Sequence, residues 1–177
     1  VRGVVARGGR AVALGADLGR EDQVQALLPM ATAALGPIGV LVNNASTFER
    51  DDALTATRAS WDEHLEPNLR APFVLLQEFA RRLPAEAEGV AVNMLVQRVW
   101  NLTPYFTSYT VSKTGLWTLT RTLALALAPR IRVNAIGPGP TLPSPRQSQA
   151  QFEDQCAKTP LRRGTTPGEI SRALRFV

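Results

Sequence analysis

The sequence predicts a single-domain α/β protein built on a parallel sheet. Three short apolar runs carry this prediction, because none shows the alternation of a half-exposed strand: residues 38–42, 89–94 and 131–136. Segments with helical character separate these runs, which is the pattern of parallel strands covered by helices. Ligands of such sheets bind at the carboxyl ends of the strands, so the site is expected there.

The first part of the chain predicts a helix end, a strand and a helix. Residues 1–10 are expected to be the tail of a helix that ends at Gly8-Gly9, because glycine is common just past a helix. Residues 11–16 predict a short buried strand, and residues 21–35 predict a helix. Asp17, which lies between them, also fits the N-cap of that helix.

Residues 38–42 lead into residues 43–46, Asn-Asn-Ala-Ser, where the Asn44 amide could link adjacent strands without any ligand.

Residues 60–63, Ser-Trp-Asp-Glu, have the form of a capping box and predict a helix from there toward Arg82. Asn68 lies within this helix and is locally unfavourable, so it calls for a special role unless it simply faces solvent.

The longest predicted helix spans residues 106–128, because small or apolar residues dominate it and Pro129 ends it. Tyr109 and Lys113 are four apart, which places them on one face of this helix. An ammonium beside a phenol favours the phenolate and lowers the pKa of the phenol. The chain holds only two tyrosines and two lysines, so an accidental pair is a poor explanation, although a buried tyrosine beside a lysine of no function would look the same.

The last part of the chain predicts one more strand, then a polar segment and a final helix. The run at residues 131–136 ends in Gly-Pro-Gly-Pro, a turn that would look similar with or without a ligand. Residues 141–168 are largely polar and interrupted by proline, which is typical of a flap over a substrate. Residues 166–169, Thr-Pro-Gly-Glu, form a second capping box and open a final helix.

Composition narrows the functional classes. One cysteine, Cys156, and one histidine, His64, cannot form an internal disulfide or an ordinary structural zinc site, so no metal is expected and a cytoplasmic setting is the default. No apolar run approaches the roughly 20 residues of a membrane span. The net charge is +5, but the arginines are scattered along the chain rather than clustered, which predicts a solvated surface and no nucleic-acid partner. Anionic substrates or cofactor phosphates would still be attracted.

Several of these features together resemble the short-chain dehydrogenase/reductase family. They are Tyr109-x-x-x-Lys113, residues 43–46, Asn68 and Pro138-Gly139, and they occur in the family's order. Residues 44–48 and 109–113 resemble the pteridine reductase and dihydromonapterin reductase branch more narrowly. The resemblance implies a Rossmann-like doubly wound parallel sheet and an NADP(H)-dependent reductase of a C=N or C=O bond in a small molecule, with NAD(H) as the alternative cofactor.

The resemblance also implies roles for individual residues. Tyr109 would donate a proton, Lys113 would lower its pKa and bind the ribose, and the carbonyl of Asn68 would hold a water that relays protons to Lys113. Phe48 would stack on the substrate ring, although ordinary packing fits it equally well. The remaining cofactor contacts would come from Asp17, Leu18, Asn44, Ala45, Ser46, Pro138 and Gly139.

The sequence departs from the family pattern in two places. Relatives carry a Ser or Asp thirteen residues before the tyrosine, where this chain has Val96, and Gln97 could replace that group only if the loop shifts. No Gly-rich phosphate loop follows a strand, and a closing strand is also missing, so we expect an internal portion or a truncated form of a longer domain. The alternative function is therefore a relative that binds ligand or partners without turnover. The central helix and the helix before it are the family's usual pairing surface, which implies a homo-tetramer or dimer.

Overall fold

The computed structural model describes residues 1–144 and 146–177. Its sheet has three parallel strands in the order β1-β2-β3: β1 is Val40–Asn43, β2 is Gly89–Met94 and β3 is Ile131–Ile136. Val42 lies opposite Val92, which in turn lies opposite Asn134. The predicted parallel α/β architecture is confirmed, and the carboxyl ends of all three strands meet at one edge.

Helices precede, connect and follow the strands. The segment before β2 is one helical rod whose middle is a π-helix, Glu66–Arg70, and a short 3₁₀ turn at Gln97–Val99 follows β2. The α-helices are α1 Arg2–Val5, α2 Glu21–Leu35, α3 Arg58–Leu65, α4 Ala71–Arg82, α5 Thr107–Leu127, α6 Gln149–Ala157 and α7 Pro167–Phe176.

The hydrophobic core lies between the sheet and helices α2 and α4. Leu76 and Phe79 of α4 are almost fully buried and pack in one cluster with Val24 of α2 and Ala91 of β2. Burial of each large side chain of this kind stabilises the fold by about 2 kcal/mol. The opposite face of β1 carries Val40, which is 60% exposed. The core therefore packs α2 and α4 against one face of the sheet and leaves the carboxyl ends of the strands free of them.

Most element boundaries agree with the pattern in the sequence. Strands β2 and β3 and helix α2 begin and end at the predicted residues. Helix α7 has the predicted capping box at Thr166, with a proline at its start. After α1, Gly8 adopts a φ of 79°, the left-handed conformation expected just past a helix.

Two predicted elements are wrong. Residues 11–16 form no strand, because their backbone pairs with no strand among the described residues and apolar composition alone does not make a ladder. The N-cap of helix α3 lies three residues before the predicted one: Thr57 is the N-cap and Ser60 is the partner that completes the capping box. Serine fills that partner position in place of the usual Glu or Gln, so the usual sequence motif does not mark this capping box.

Two further segments refine the prediction. Asn68, which is locally unfavourable in a helix, lies in the π-helix, where the regular α-helical pattern is interrupted. The predicted flap, residues 141–168, contains helix α6 with its own capping box at Ser148, while residue 145 lies outside the described residues. Within the described part of the chain, no helix is long and apolar enough to cross a membrane.

Candidate active site

The carboxyl ends of β2 and β3 open into a cleft of about 830 Å³, which we call the tyrosine cleft. This volume suits a small organic ligand. Tyr109, in the first turns of α5, forms one wall, and the chain just after β3 forms another. Residues of the predicted flap close the outer side. The cleft brings together the predicted site residues Phe48, Val96, Tyr109, Pro138 and Gly139.

Two aromatic rings fix the position of Tyr109. The ring of Phe48 stacks on Phe106 with a centroid distance of 4.5 Å and meets the ring of Tyr109 edge-on at 4.7 Å. Phe106 has a φ of 62°, in the left-handed region, and starts α5 at the angle that turns Tyr109 inward. Phe48 therefore packs within the protein, and it remains 37% exposed toward the cleft.

Tyr109 and Lys113 share a buried face of α5, as the spacing predicts. The Lys113 Nζ lies 5.9 Å from the centroid of the Tyr109 ring and donates a hydrogen bond of 2.9 Å to the carbonyl of Met94. The backbone of β2 thus holds the amine beside the end of the sheet. Both side chains are more than nine-tenths removed from solvent.

The predicted electrostatic coupling of this pair is wrong for the protein as it stands. Burial raises the pKa of Tyr109 to about 12, against the opposing influence of Arg98 and of a hydrogen bond with Ser46. Burial also lowers the pKa of Lys113 to about 8. The cost of placing charge in a water-poor site outweighs any attraction between the ammonium and a phenolate, because the ammonium points at a carbonyl instead.

Asn68 is a fully buried hydrogen-bonding centre, which excludes the solvent-facing alternative. Its Oδ1 accepts from the Ser46 hydroxyl at 3.0 Å and from the Thr47 N–H at 2.8 Å. Its Nδ2 donates to the Thr47 carbonyl at 2.9 Å and to the Ser112 hydroxyl at 3.2 Å. Asn68 therefore ties the chain after β1 to helix α5, and holds Ser46 beside the phenol of Tyr109.

The strand-linking role considered for Asn44 belongs to its neighbour Asn43. Asn43 Nδ2 donates to Asn93 Oδ1 at 2.8 Å, and Asn93 Nδ2 donates to the hydroxyl of Thr120 at 2.9 Å. Asn44 is exposed at the strand end. The buried chain of amides joins β1, β2 and α5, and sequence reasoning missed Asn93 because nothing local distinguishes it from an ordinary strand residue.

A second cleft of about 540 Å³ adjoins the end of β1. It brings together the predicted cofactor residues Asp17, Leu18, Ala45 and Ser46. Asp17 accepts a hydrogen bond from the Gly19 N–H, while α2 begins at an N-cap without any side-chain bond. The capping role considered for Asp17 is therefore wrong, and its loop instead forms a wall of this cleft.

Val96 and Gln97 lie in the part of the tyrosine cleft that follows β2. Val96 lines the tyrosine cleft and offers no polar group there. Gln97 donates its backbone N–H to the Pro138 carbonyl at 3.1 Å, and its side chain also lines the cleft. A methyl group on Gly139 would come within 3.3 Å of Gln97 Oε1, so glycine allows the close approach of these two loops.

A buried polar cluster that the sequence did not reveal supports the side of the tyrosine cleft formed by Phe48 and Tyr109. The Ser108 hydroxyl donates to the Asp51 carboxylate, and His64 Nδ1 lies 2.8 Å from that hydroxyl. His64 Nδ1 also donates to the Ser60 carbonyl, and Nε2 accepts the Glu49 N–H at 2.9 Å. The cluster fixes the segment that carries Phe48 against the start of α5. Within the described part of the chain, no group of three or more His, Cys, Asp or Glu side chains is arranged to hold a metal ion.

A buried tyrosine and a buried lysine on one helix thus lie at the ends of parallel strands in a Rossmann-like fold, beside two clefts. A family model described as Enoyl-(Acyl carrier protein) reductase matches residues 1–177. The chain belongs to the short-chain dehydrogenase/reductase family.

Solved structures of related proteins superpose closely on this fold. The FolM alternative dihydrofolate reductase 1 from Brucella canis, complexed with NADP, has a TM-score of 0.94 and 47% sequence identity, over 99% of this chain and 69% of its own. A short-chain dehydrogenase from Burkholderia cenocepacia, in complex with NADP, has a TM-score of 0.92 and 29% identity, over 100% of this chain and 73% of its own.

A curated relative of known activity is more distant. The 2-dehydro-3-deoxy-D-gluconate 5-dehydrogenase of Escherichia coli K12 is 35% identical over 122 residues, 68% of this chain. The match spans 48% of that relative, so the chain corresponds to about half the length of the curated dehydrogenase. These comparisons establish the family and leave the substrate to be argued from the site.

Proposed function

We propose that the protein is an NADP(H)-dependent reductase that transfers hydride to a C=N or C=O bond of a flat heteroaromatic ring of the pteridine class. The observation that carries the proposal is the buried Tyr109, which shares a face of α5 with Lys113 and forms a wall of the tyrosine cleft. The 47% identity to the Brucella FolM alternative dihydrofolate reductase supports the pteridine class.

The two adjoining clefts fit a dinucleotide. Asp17, Leu18, Ala45 and Ser46 would hold its adenine half in the second cleft. Pro138 and Gly139 would lie against its nicotinamide in the tyrosine cleft, with Asn44 and Lys113 between the two halves. When bound, NADPH supplies the hydride. NAD(H) is the alternative cofactor.

Tyr109 is suited to act as the acid of a reduction. With its pKa raised to about 12, the phenol keeps its proton at neutral pH and holds it where a developing negative charge on the substrate would accept it. Ser46 opposes the rise in the pKa of Tyr109, and Asn68 accepts a hydrogen bond from the Ser46 hydroxyl and holds it in place. The water relay through the Asn68 carbonyl stays a prediction.

The substrate would enter beside Phe48 and be covered by residues 141–168. Thr141, Gln147 and Phe152 of this segment line the tyrosine cleft. Phe48 is partly exposed and could contact a planar ring, and the apolar Val96 lines the same cleft. The flap assignment thus rests on which residues face the cleft.

The proposal is tested by replacing the acid. Tyr109→Phe removes only the hydroxyl, and we expect NADPH oxidation with dihydropterin or dihydrofolate to fall at least 100-fold, the usual contribution of a positioned acid. Steady-state absorbance at the nicotinamide band measures this rate. Tyr105→Phe is the matched control, because Tyr105 is exposed and lies outside the tyrosine cleft. Equal rates in the two variants would refute the assignment of Tyr109.

A second candidate is a relative that binds ligand without turnover, and Val96 favours it by removing a polar contact to the substrate. Calorimetric titration with NADPH separates the candidates when it is paired with the turnover assay. Binding with turnover excludes the second candidate, whereas binding without turnover on any pterin or carbonyl compound excludes the first.

The family's pairing surface is the basis for proposing a homo-oligomer, a dimer or tetramer. An apolar cleft of about 1060 Å³ runs between α5 and the α3–π–α4 rod. Leu69, Phe73, Val111 and Leu119 line it. A second copy of the same surface would cover it.

A further inference from the structure

Three arginines line the tyrosine cleft: Arg50, Arg98 and Arg146, which we call the arginine rim. Among the described residues that line this cleft, no Asp or Glu accompanies them. Arginine on a protein surface normally faces water, whereas these side chains border a concave site that also contains Tyr109. The cleft is therefore lined by both positively charged and aromatic side chains.

Arg98 is the innermost member of the arginine rim. Its guanidinium lies 4.6 Å from the centroid of the Phe106 ring and 5.9 Å from that of Phe48. One N–H group donates to the Thr103 hydroxyl at 2.9 Å. Burial lowers the pKa of Arg98, but a guanidinium remains charged at neutral pH. Stacking on the two aromatic rings orients the guanidinium of Arg98 and leaves several of its five N–H donors for another partner.

Arg50 and Arg146 differ in what they already bind. The guanidinium of Arg50 lies 4.4 Å over the ring of Tyr105, and in the described part of the chain neither Arg50 nor Arg98 forms an ion pair. Arg146, in contrast, pairs with Glu49 at 2.6 Å. Arg50 and Arg98 are thus held by aromatic rings and form no ion pair among the described residues, although Arg50 is near enough to Asp52 to add to the hydrogen bonds that lower the pKa of that carboxyl.

Resting on the proposed function, we propose that Arg98 and Arg50 form a subsite for the anionic tail of the substrate, a carboxylate or a phosphate, while its flat ring lies in the tyrosine cleft beside Tyr109. Guanidinium forks bind both groups through paired, charge-assisted hydrogen bonds. The preferred substrate is then a reduced pterin with an acidic extension rather than a neutral one. Arg98 acts as a specificity residue, and its influence on the pKa of Tyr109 is why the test measures binding rather than turnover.

Equilibrium binding to the NADPH-loaded protein tests this subsite with three ligands that share one pterin ring. The ligands are 6-hydroxymethylpterin, its phosphate ester and pteroylglutamate, whose tails are neutral, phosphate and carboxylate. We expect at least one anionic ligand to bind 10-fold or more tightly than the neutral ligand, and the preference to shrink as salt screens the charges. The stronger of the two anionic ligands identifies the tail.

Arg98→Gln and Arg50→Gln are each expected to reduce the anionic preference at least 5-fold without weakening the neutral ligand. Arg121→Gln is the matched control, because Arg121 also stacks on an aromatic ring, Trp117, but does not line the cleft. The subsite is refuted if all three ligands bind alike, or if Arg98→Gln weakens them equally.

The outcomes also separate the subsite from the proposed function. If the anionic ligands bind through Arg98 while an NADPH assay shows no reduction of any dihydropterin, the subsite stands and the reductase assignment fails. If dihydropterins are reduced with no effect of the tail or of Arg98, the reductase assignment stands and the subsite fails. If no ligand binds, both fail.

Discussion

Lys113 is a buried amine, and its burial links stability to pH. Burial lowers its pKa to about 8 in the folded protein, whereas an unfolded lysine titrates near ~10.4. Between these values the unfolded state binds more protons, so the free energy of unfolding rises with pH. We expect a rise of about 2 kcal/mol between pH 8 and 10. Urea unfolding at several pH values measures it.

Two variants assign that rise to one residue. Lys113→Met should flatten the profile between pH 8 and 10, because the titrating amine is gone. Lys158→Met should leave the profile unchanged, because Lys158 is exposed. Above pH 10 the trend reverses: Tyr109, with its pKa raised to about 12, keeps its proton when the unfolded tyrosine loses it, so stability falls. A profile that is the same in both lysine variants would contradict this account.

The buried side chain of Asn68 makes four hydrogen bonds. Asn68→Ala removes four bonds and leaves the N–H and carbonyl of Thr47 without their partner. Because unsatisfied buried groups cost about 1–3 kcal/mol each, we expect a loss of about 2–4 kcal/mol in the free energy of unfolding. Asn44→Ala, at an exposed asparagine, should cost less than about 0.5 kcal/mol. A loss below about 1 kcal/mol in Asn68→Ala would show that water replaces the amide.

Single residues were the least predictable part of the site. Tyr109 and Lys113 could be recognised because both lie on one helix, four positions apart. Asp51, His64 and Ser108 could not, because each lies on a different segment and only the folded chain brings them into contact. Contacts between positions more than 40 residues apart leave no local pattern in one sequence.

At the scale of elements, patterns that are complete within one segment were read correctly. Strands β2 and β3 are continuous apolar runs, and α2 is a regular helix, so their ends follow from the sequence. The strand predicted at residues 11–16 is absent because a strand also needs a neighbouring strand, and composition does not show whether one is present. The π-helical turn was visible only as an asparagine placed where a helix disfavours it.

The corrected start of α3 gives a prediction about capping. The Thr57 hydroxyl accepts the Ser60 N–H at 3.1 Å, a bond that Thr57→Ala removes. We expect the free energy of unfolding to fall by about 1 kcal/mol, measured by urea titration. Ser171→Ala is the control, since this exposed serine in α7 caps nothing, and alanine favours a helix interior. Equal losses in the two variants would mean that the cap does not stabilise α3.

At the scale of the whole molecule, the fold explains why the site lies where it does. Parallel strands direct all their carboxyl ends to one edge, and segments from residue 17 to residue 155 converge there to form the two clefts. The fold class was therefore sufficient to predict the place of the site. It was insufficient to predict the arginine rim, because scattered arginines become a cluster only after folding.

The apolar cleft between α5 and the α3–π–α4 rod makes the proposed self-association testable. Val111 is 41% exposed and lines this cleft, so Val111→Arg would place a charge within an interface between two copies. We expect light scattering coupled to gel filtration to give the mass of an oligomer for the natural protein and that of one chain for Val111→Arg. Leu125→Arg is the matched control, because Leu125 is 84% exposed on the same helix and lies outside the cleft. A monomeric natural protein, or an oligomer that tolerates Val111→Arg, would show that this surface does not join two copies.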